Sequence, residues 1–263
     1  FAGYGNLGAA LSGFYGLAGW PDRPPSGPFG AYTDYTSTHF MLATVLASLD
    51  RQRRTGLGEY IDLAQTEAAL HFIAPALLGA SATGEVASGK GNDDPEMVPH
   101  GAFPCLGEDE WVAIAVEDDV KWQDLCRAIG RADLAEEESL RSAAGRRLSQ
   151  HSVEEVINAW TSIRSSVEAA NLLIQAGVAA HQIQSSAGCL SDPQLGHRSA
   201  FMWFEHPDRK CVVENSRFSL SRSEHGPKAR APFLGEHTFD VLSDLVGYSS
   251  DRIADLAAAE VLE

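Results

Sequence analysis

Residues 36–54, TSTHFMLATVLASLDRQRR, run without a glycine or a proline between two stretches that cannot continue a helix. Upstream lies PDRPPSGPFGAY at 21–32, whose proline and glycine content forbids regular structure. Downstream, Gly56 supplies a left-handed stop. The segment therefore predicts a long helix. Thr36, Ser37 or Thr38 can cap its start, and Arg51, Arg53 and Arg54 complement the negative end of its macrodipole. Phe40, Leu42, Val45, Leu46 and Leu49 leave little polar face, which predicts a mostly buried helix. Asp34 sits just before it. The residues alone leave two roles open for this carboxylate. It can cap the helix, or it can stay ionised beside N–H groups that stabilise a developing oxyanion.

The rest of the chain divides around this helix. The first 20 residues read as a small-residue helix carrying Leu7, Leu11, Phe14 and Leu17. GEYIDLA at 58–64 alternates like a short strand, and TEAALHFIAPALL at 66–78 returns to helix. Residues 79–99 are dominated by Gly, Ser, Ala, Asp and Pro and form the clearest linker. Then comes a unit of about 90 residues with strand and helix signals in alternation, the mark of a small α/β domain. WVAIAV at 111–116 is a strand, and Asp118 or Asp119 caps a helix closed by Gly130. Ser152-Val153-Glu154-Glu155 reads as a capping box. A helix over 167–175 ends at Gly177 and feeds the strand VAAHQI. Strands FMWFEH and CVVENSRFSLS and two helical stretches follow.

Charge narrows the ligands. Lys and Arg total 20 against 36 Asp and Glu, a net charge of −16, so nucleic acid and anionic membrane surfaces are poor partners. No uninterrupted apolar run reaches the roughly 18 residues of a membrane span. Cys105, Cys126, Cys189 and Cys211 show neither a paired spacing nor a disulfide framework, so they read as ordinary thiols of an intracellular, cytoplasmic protein without a metal site. Gly3-Tyr4-Gly5-Asn6-Leu7-Gly8 fits the dinucleotide fingerprint. It lacks the preceding strand and the acidic residue after a second strand, and a helix start rich in small residues explains the glycines as well. His71 reads as a core residue, Glu136-Glu137-Glu138 as a solvated helix start.

Several blocks together carry more than any one of them. Asp34-Tyr35-Thr36-Ser37-Thr38-His39, the helix end from Asp50 to Glu59, and Tyr60-Ile61-Asp62-Leu63-Ala64 resemble the family III CoA-transferases, the CaiB/BaiF group. So do His100-Gly101-Ala102-Phe103-Pro104, Ala176-Gly177-Val178, Ser191-Asp192-Pro193-Gln194-Leu195 and the run Ala231 to Thr238, all in order. The resemblance implies an α/β fold: the remainder of a Rossmann-like large domain (1–84 and 195–263), a linker (85–100) and a small α/β domain (101–194). It implies that Asp34 is the nucleophile of a reaction that moves CoA from an acyl-CoA to a free carboxylic acid, with no permanently bound cofactor. Tyr4 then stands as a substrate-binding wall. His100 and Gly101 fall where family members carry a loop over the site, although the glycine-rich form of that loop is absent here. The family's chains form interlocked homodimers, and its large domain begins with a segment that this sequence lacks, so Phe1 reads as a cut.

Two other readings stay in view. The 2-methylacyl-CoA racemases of the same superfamily use a His/Asp pair, and their histidine would fall at Tyr4, a poor general base near neutral pH. A truncated, non-catalytic half is the other.

Overall fold

The computed structural model describes residues 3–262; Phe1, Ala2 and Glu263, and with them the reading of Phe1 as a cut, lie outside the described residues. The chain divides into two compact units, 1–183 and 184–263.

In the first unit, α1 (Gly5–Leu11) and α2 (Phe14–Leu17) replace the single helix expected over the first 20 residues, because Gly13 turns the chain between them at φ 92°. The long helix is present as α3 (Tyr32–Thr55), and Gly56 at φ 75° closes it by donating to the Gln52 carbonyl at 2.8 Å. At 1.5 Å per residue its 24 residues span about 36 Å. Two expectations about it are corrected. It starts five residues earlier than a Thr36 cap would place it, so Asp34 lies inside its first turn and Ala31 occupies the cap position with no side-chain hydrogen bond. Nor is its apolar face buried: Leu42 is 59% and Leu46 57% exposed. The buried residues of α3 are Thr33, Thr36 and Ser37, at the start, where α1 packs against it. The residues expected as a strand at 58–64 carry no helix or strand and pair with no strand among the described residues. Beyond them α4 (Gln65–Leu70), a 3-10 turn (His71–Ile73) and α5 (Ala74–Thr83) follow. His71 is exposed rather than core, stacked on Phe40 with centroids 5.1 Å apart.

Residues 84–99 carry no helix or strand. The α/β part of this unit then begins with β1 (His100–Pro104) and β2 (Trp111–Ala115), followed by α6 (Asp119–Ala128) and α7 (Ala132–Glu136). Next come α8 (Ala143–Leu148), α9 (Gln150–Thr161), α10 (Ser166–Gln175) and β3 (Ala179–Gln182). The strands form an antiparallel sheet in the order β1-β2-β3. Asp118 caps α6 through the Lys121 N–H at 2.8 Å, and Gly130 turns the chain after it at φ 74°. The capping box expected at Ser152 is not formed: α9 starts at Gln150, which leaves Ser152 and Glu155 within the helix. Of the exposed run Glu136-Glu137-Glu138, Glu136 ends α7 and Glu138 opens a 3-10 turn (Glu138–Leu140).

Strand alternation separates two faces of this sheet. Phe103, Val112 and Ile114 point one way, into a core with Trp122, Leu125, Cys126, Val153, Ile157 and Leu173. Those partners come from α6, α9 and α10, whose buried residues recur every three or four positions. Burying one such side chain contributes about 1.5–3 kcal/mol. Within this core Arg146 is 0% exposed. Its guanidinium lies over the Trp122 ring at 5.3 Å and donates to the carbonyls of Val98 at 2.7 Å, Leu140 at 3.0 Å and Arg141 at 3.1 Å. It also meets Asp119 Oδ1 at 3.0 Å. One side chain thereby ties the segment before β1 to α6 and α8.

The second unit holds α11 (Ser186–Ser191), α12 (Pro193–His197), the hairpin β4 (Phe201–His206) and β5 (Arg209–Glu214), and the C-terminal α13 (Thr238–Asp240) and α14 (Ser250–Ala258). A π-helical turn (Val241–Leu245) follows α13. Asp192 caps α12 through the Leu195 N–H at 2.8 Å, with Pro193 as its first residue. Arg230 grips Glu236 with both arms, at 2.9 and 2.6 Å, while the Phe233 N–H donates to the same carboxylate at 2.7 Å. No described helix is long and apolar enough to cross a membrane.

Arg146→Met should lower stability by about 3 kcal/mol, because three carbonyls, two of them buried, lose their donor and each stranded acceptor costs about 1–3 kcal/mol. Urea unfolding measures it. Glu236 gives a pH test. The Arg230 guanidinium, then the Phe233 N–H, hold its carboxyl at about 2 against an ordinary 4.5. A depressed carboxyl stabilises the fold above the unfolded pKa and loses that contribution as pH falls through the folded one. The stability gap between the wild type and Glu236→Gln should therefore be full above pH 4.5 and close towards pH 2.

Candidate functional site

Asp34 owes its surroundings to two glycines. At Gly5, an added Cβ would stand 2.7 Å from Ala31 Cβ and 2.9 Å from Asp34 Cγ; at Gly8, one would stand 2.6 Å from Thr33 Oγ1. Contacts below 3 Å do not occur between real atoms of this kind, so α1 can lie flush against the start of α3 only with glycine at both positions. The buried Thr33 hydroxyl then donates to the Gly5 carbonyl at 2.9 Å and fixes the approach. Gly5 and Gly8 of the fingerprint-like motif therefore serve helix packing. The result is a half-buried Asp34 whose carboxyl carbon lies against Gly5, in the first turn of the long helix, where the macrodipole favours negative charge.

Tyr4 is the N-cap residue of α1. Its carbonyl accepts from Leu7 at 2.9 Å and Gly8 at 3.1 Å, and its side chain is 90% exposed. Tyr4 directly precedes Gly5, the residue that packs against Ala31 and Asp34. His100 and Gly101 lie elsewhere in this unit, at the start of β1. They line an open cavity of about 480 Å³ with Asn92, Ala102, Ala113, Ile114, Ala115, Ala179, Ala180, His181 and Ile183. A more polar hollow of about 290 Å³ shares His100 and Gly101 and adds Trp20, Asp93, Gln150, Glu154 and Asn158. Neither cavity has Asp34 or Tyr4 in its lining.

Residues 92–98, which lead into β1, are clamped. Arg147 donates to the carbonyls of Asp94 at 2.9 Å and Pro95 at 2.7 Å, and Gln150 to Asp93 Oδ1 at 2.7 Å. The Asp94 carboxylate accepts from the backbone N–H groups of Met97 and Glu96. These two bonds, then the His100 and Arg147 charges, hold its pKa below the usual value. The Asn92 carbonyl receives His100 Nδ1 at 2.5 Å. Sequence reasoning missed this clamp, whose partners are more than fifty positions apart. It also missed Gly5 as the neighbour of Asp34, and the alanines that line the 480 Å³ cavity. The alternation of small and large residues in Trp111-Val112-Ala113-Ile114-Ala115 was the available signal for them.

Among the described residues no cluster of three or more His, Cys, Asp or Glu could hold a metal ion. Burial pushes the Cys126 thiol up to about 12, which leaves it a core residue and no nucleophile.

The model of CoA-transferase family III matches residues 1–238. Among curated proteins, the succinyl-CoA–D-citramalate CoA-transferase of Chloroflexus aurantiacus is 27% identical over 262 residues, covering 99% of this chain and 65% of that protein. The succinyl-CoA:mesaconate CoA-transferase of Haloarcula hispanica is 27% identical, over 94% of this chain and 62% of its own length. Among solved structures, a CAIB/BAIF family protein from Brucella suis superposes with a TM-score of 0.83 at 22% identity, covering 93% of this chain and 63% of that one. The chain thus spans just under two thirds of the length of these relatives.

Gly5→Ala should cost about 1–3 kcal/mol through overpacking. It should also move the Asp34 carboxyl, which a thermal melt and a crystal structure of the variant would read separately.

Proposed function

This chain belongs to CoA-transferase family III, and from that premise we propose that the complete protein moves CoA from an acyl-CoA to a small carboxylic acid, with Asp34 as nucleophile. The observation that carries the reading is the half-buried Asp34 in the first turn of α3, pressed against Gly5.

The chemistry follows from what a carboxylate can do. Asp34 attacks the thioester carbonyl of the acyl-CoA; the C–S bond breaks, giving a mixed anhydride and CoA thiolate. The thiolate attacks the aspartyl carbonyl of that anhydride, releasing the first acid and leaving an aspartyl-CoA thioester. An incoming carboxylate attacks this thioester, forming a second anhydride and freeing the thiolate again. The thiolate then takes the new acyl group, and Asp34 returns as carboxylate. A carboxylate suits the task because an anhydride conserves the activation of the thioester. Every step passes through an oxyanion, which the positive end of a helix favours.

In this reading Tyr4, His100 and Gly101 contact substrate, no cofactor is permanently bound, and the complete protein works in the cytoplasm as an interlocked homodimer. The named relatives use succinyl-CoA with D-citramalate or mesaconate; only their substrate class, an acyl-CoA and a small acid, is carried over here. Tyr4 weighs against the racemase reading, since an uncharged phenol with a reference pKa of about 10 is a poor base for an α-proton.

Asp34→Asn in the full-length enzyme should reduce CoA transfer by about 10³-fold or more, since loss of a nucleophile removes the covalent route. A transfer rate equal to wild type would overturn the proposal. Deuterium exchange at the substrate α-carbon without CoA transfer would favour the racemase.

A further inference from the structure

The open face of the small sheet has a defined composition. In an antiparallel ladder, directly opposed residues share a face. His100 opposes Ala115 and Ala115 opposes Ala179, while Ala102 opposes Ala113 and Ala113 opposes His181. Four alanines therefore floor the cavity, with a histidine at each of two diagonal corners. Alanine leaves the sheet backbone accessible to a slender ligand and offers it an apolar bed.

His100 is the polar group whose state the structure specifies. A carbonyl oxygen only accepts, so the ring nitrogen 2.5 Å from the Asn92 carbonyl must carry a proton. In the neutral imidazole that leaves Nε2 with its lone pair, an acceptor. The Asn92 carbonyl is itself held in place, because Gln150 fixes the neighbouring Asp93 and Arg147 fixes Asp94 and Pro95.

We propose that the Arg147–Gln150 clamp sets the His100 tautomer through Asn92, and that the alanine-floored cavity binds a slender ligand whose N–H or O–H donates to His100 Nε2. Arg147 and Gln150 are positioning residues; His100 is the contact. This deepens the reading of His100 as substrate-binding and rests on it. The donor has two sources in a reaction of acyl-CoA with an acid: the amides of the pantetheine arm, or a hydroxyl on the acid.

Both parts can be read without turnover, so absent transferase activity would leave them standing or falling on their own. Long-range 1H–15N spectra of the labelled full chain, on the alkaline limb of the titration, should show His100 protonated at Nδ1 and bare at Nε2. In Arg147→Met/Gln150→Ala the same resonances should move towards the Nε2–H form while the other histidines stay unchanged. If that variant does not fold, Gln150→Glu sets like charges against Asp93 and Glu154 and tests the same link. An Nε2–H tautomer in the wild type, or no change in a folded variant, would overturn the clamp. Pantetheine and 3-hydroxybutyrate are then titrated separately to millimolar levels. Displacement of His100 Nε2 and the Ala113 and Ala115 methyl signals by either supports the site and identifies the source. His100→Phe should weaken that binding about tenfold, the equivalent of one lost hydrogen bond of about 1.4 kcal/mol. No displacement by either probe, or equal binding in His100→Phe, would overturn the site.

Discussion

The contact between α1 and the first turn of α3 fixes the surroundings of Asp34, on which the proposed chemistry depends. A buried hydroxyl of Thr33 meets the Gly5 carbonyl, and two missing Cβ atoms let the helices close until the Asp34 carboxyl lies against backbone. A carboxylate in that position loses part of its water on one side while the helix start favours its charge. A surface aspartate elsewhere on α3 would have neither the packed wall nor the fixed orientation.

Local signals in the sequence were legible where the cause is local. Gly56 ends α3, Asp118 starts α6, and Gly130 and Gly177 mark turns, because each acts on backbone within a few residues. The strand Trp111–Ala115 was legible by its alternation. Where the cause is distant, the reading failed. An apolar α3 was expected to be buried, yet Leu42, Leu46 and Leu49 are exposed, because burial depends on what packs there and not on composition. The 58–64 segment has the strand pattern and no ladder partner, and a strand requires one. Ser152 has the right neighbours for a capping box, but Ser149 and Gln150 open the helix first.

The site was legible in the same uneven way. Asp34 was found as a carboxylate by a helix start, with its role left open between cap and nucleophile; the helix begins early enough that it caps nothing. What holds Asp34 in place was hidden, since Gly5 lies 29 positions away and reads as part of a nucleotide motif. The clamp on residues 92–98 was hidden likewise: a run rich in Gly, Asp and Pro reads as free linker until Arg146, Arg147 and Gln150 are seen to hold its carbonyls and the Asp93 carboxylate. Two of the charged landmarks are local fasteners: Glu236 is held by the Arg230 fork, and Asp192 caps α12.

The central claim is that Asp34 is the covalent carrier. Mass spectrometry of the full-length enzyme, quenched during incubation with an acyl-CoA and digested, tests it most directly. The account requires an adduct on the peptide containing Asp34, cleaved by hydroxylamine to the hydroxamate and missing from Asp34→Asn. An unmodified Asp34 peptide from an enzyme that is turning over at the moment of quenching, or an adduct at a different residue, would contradict it.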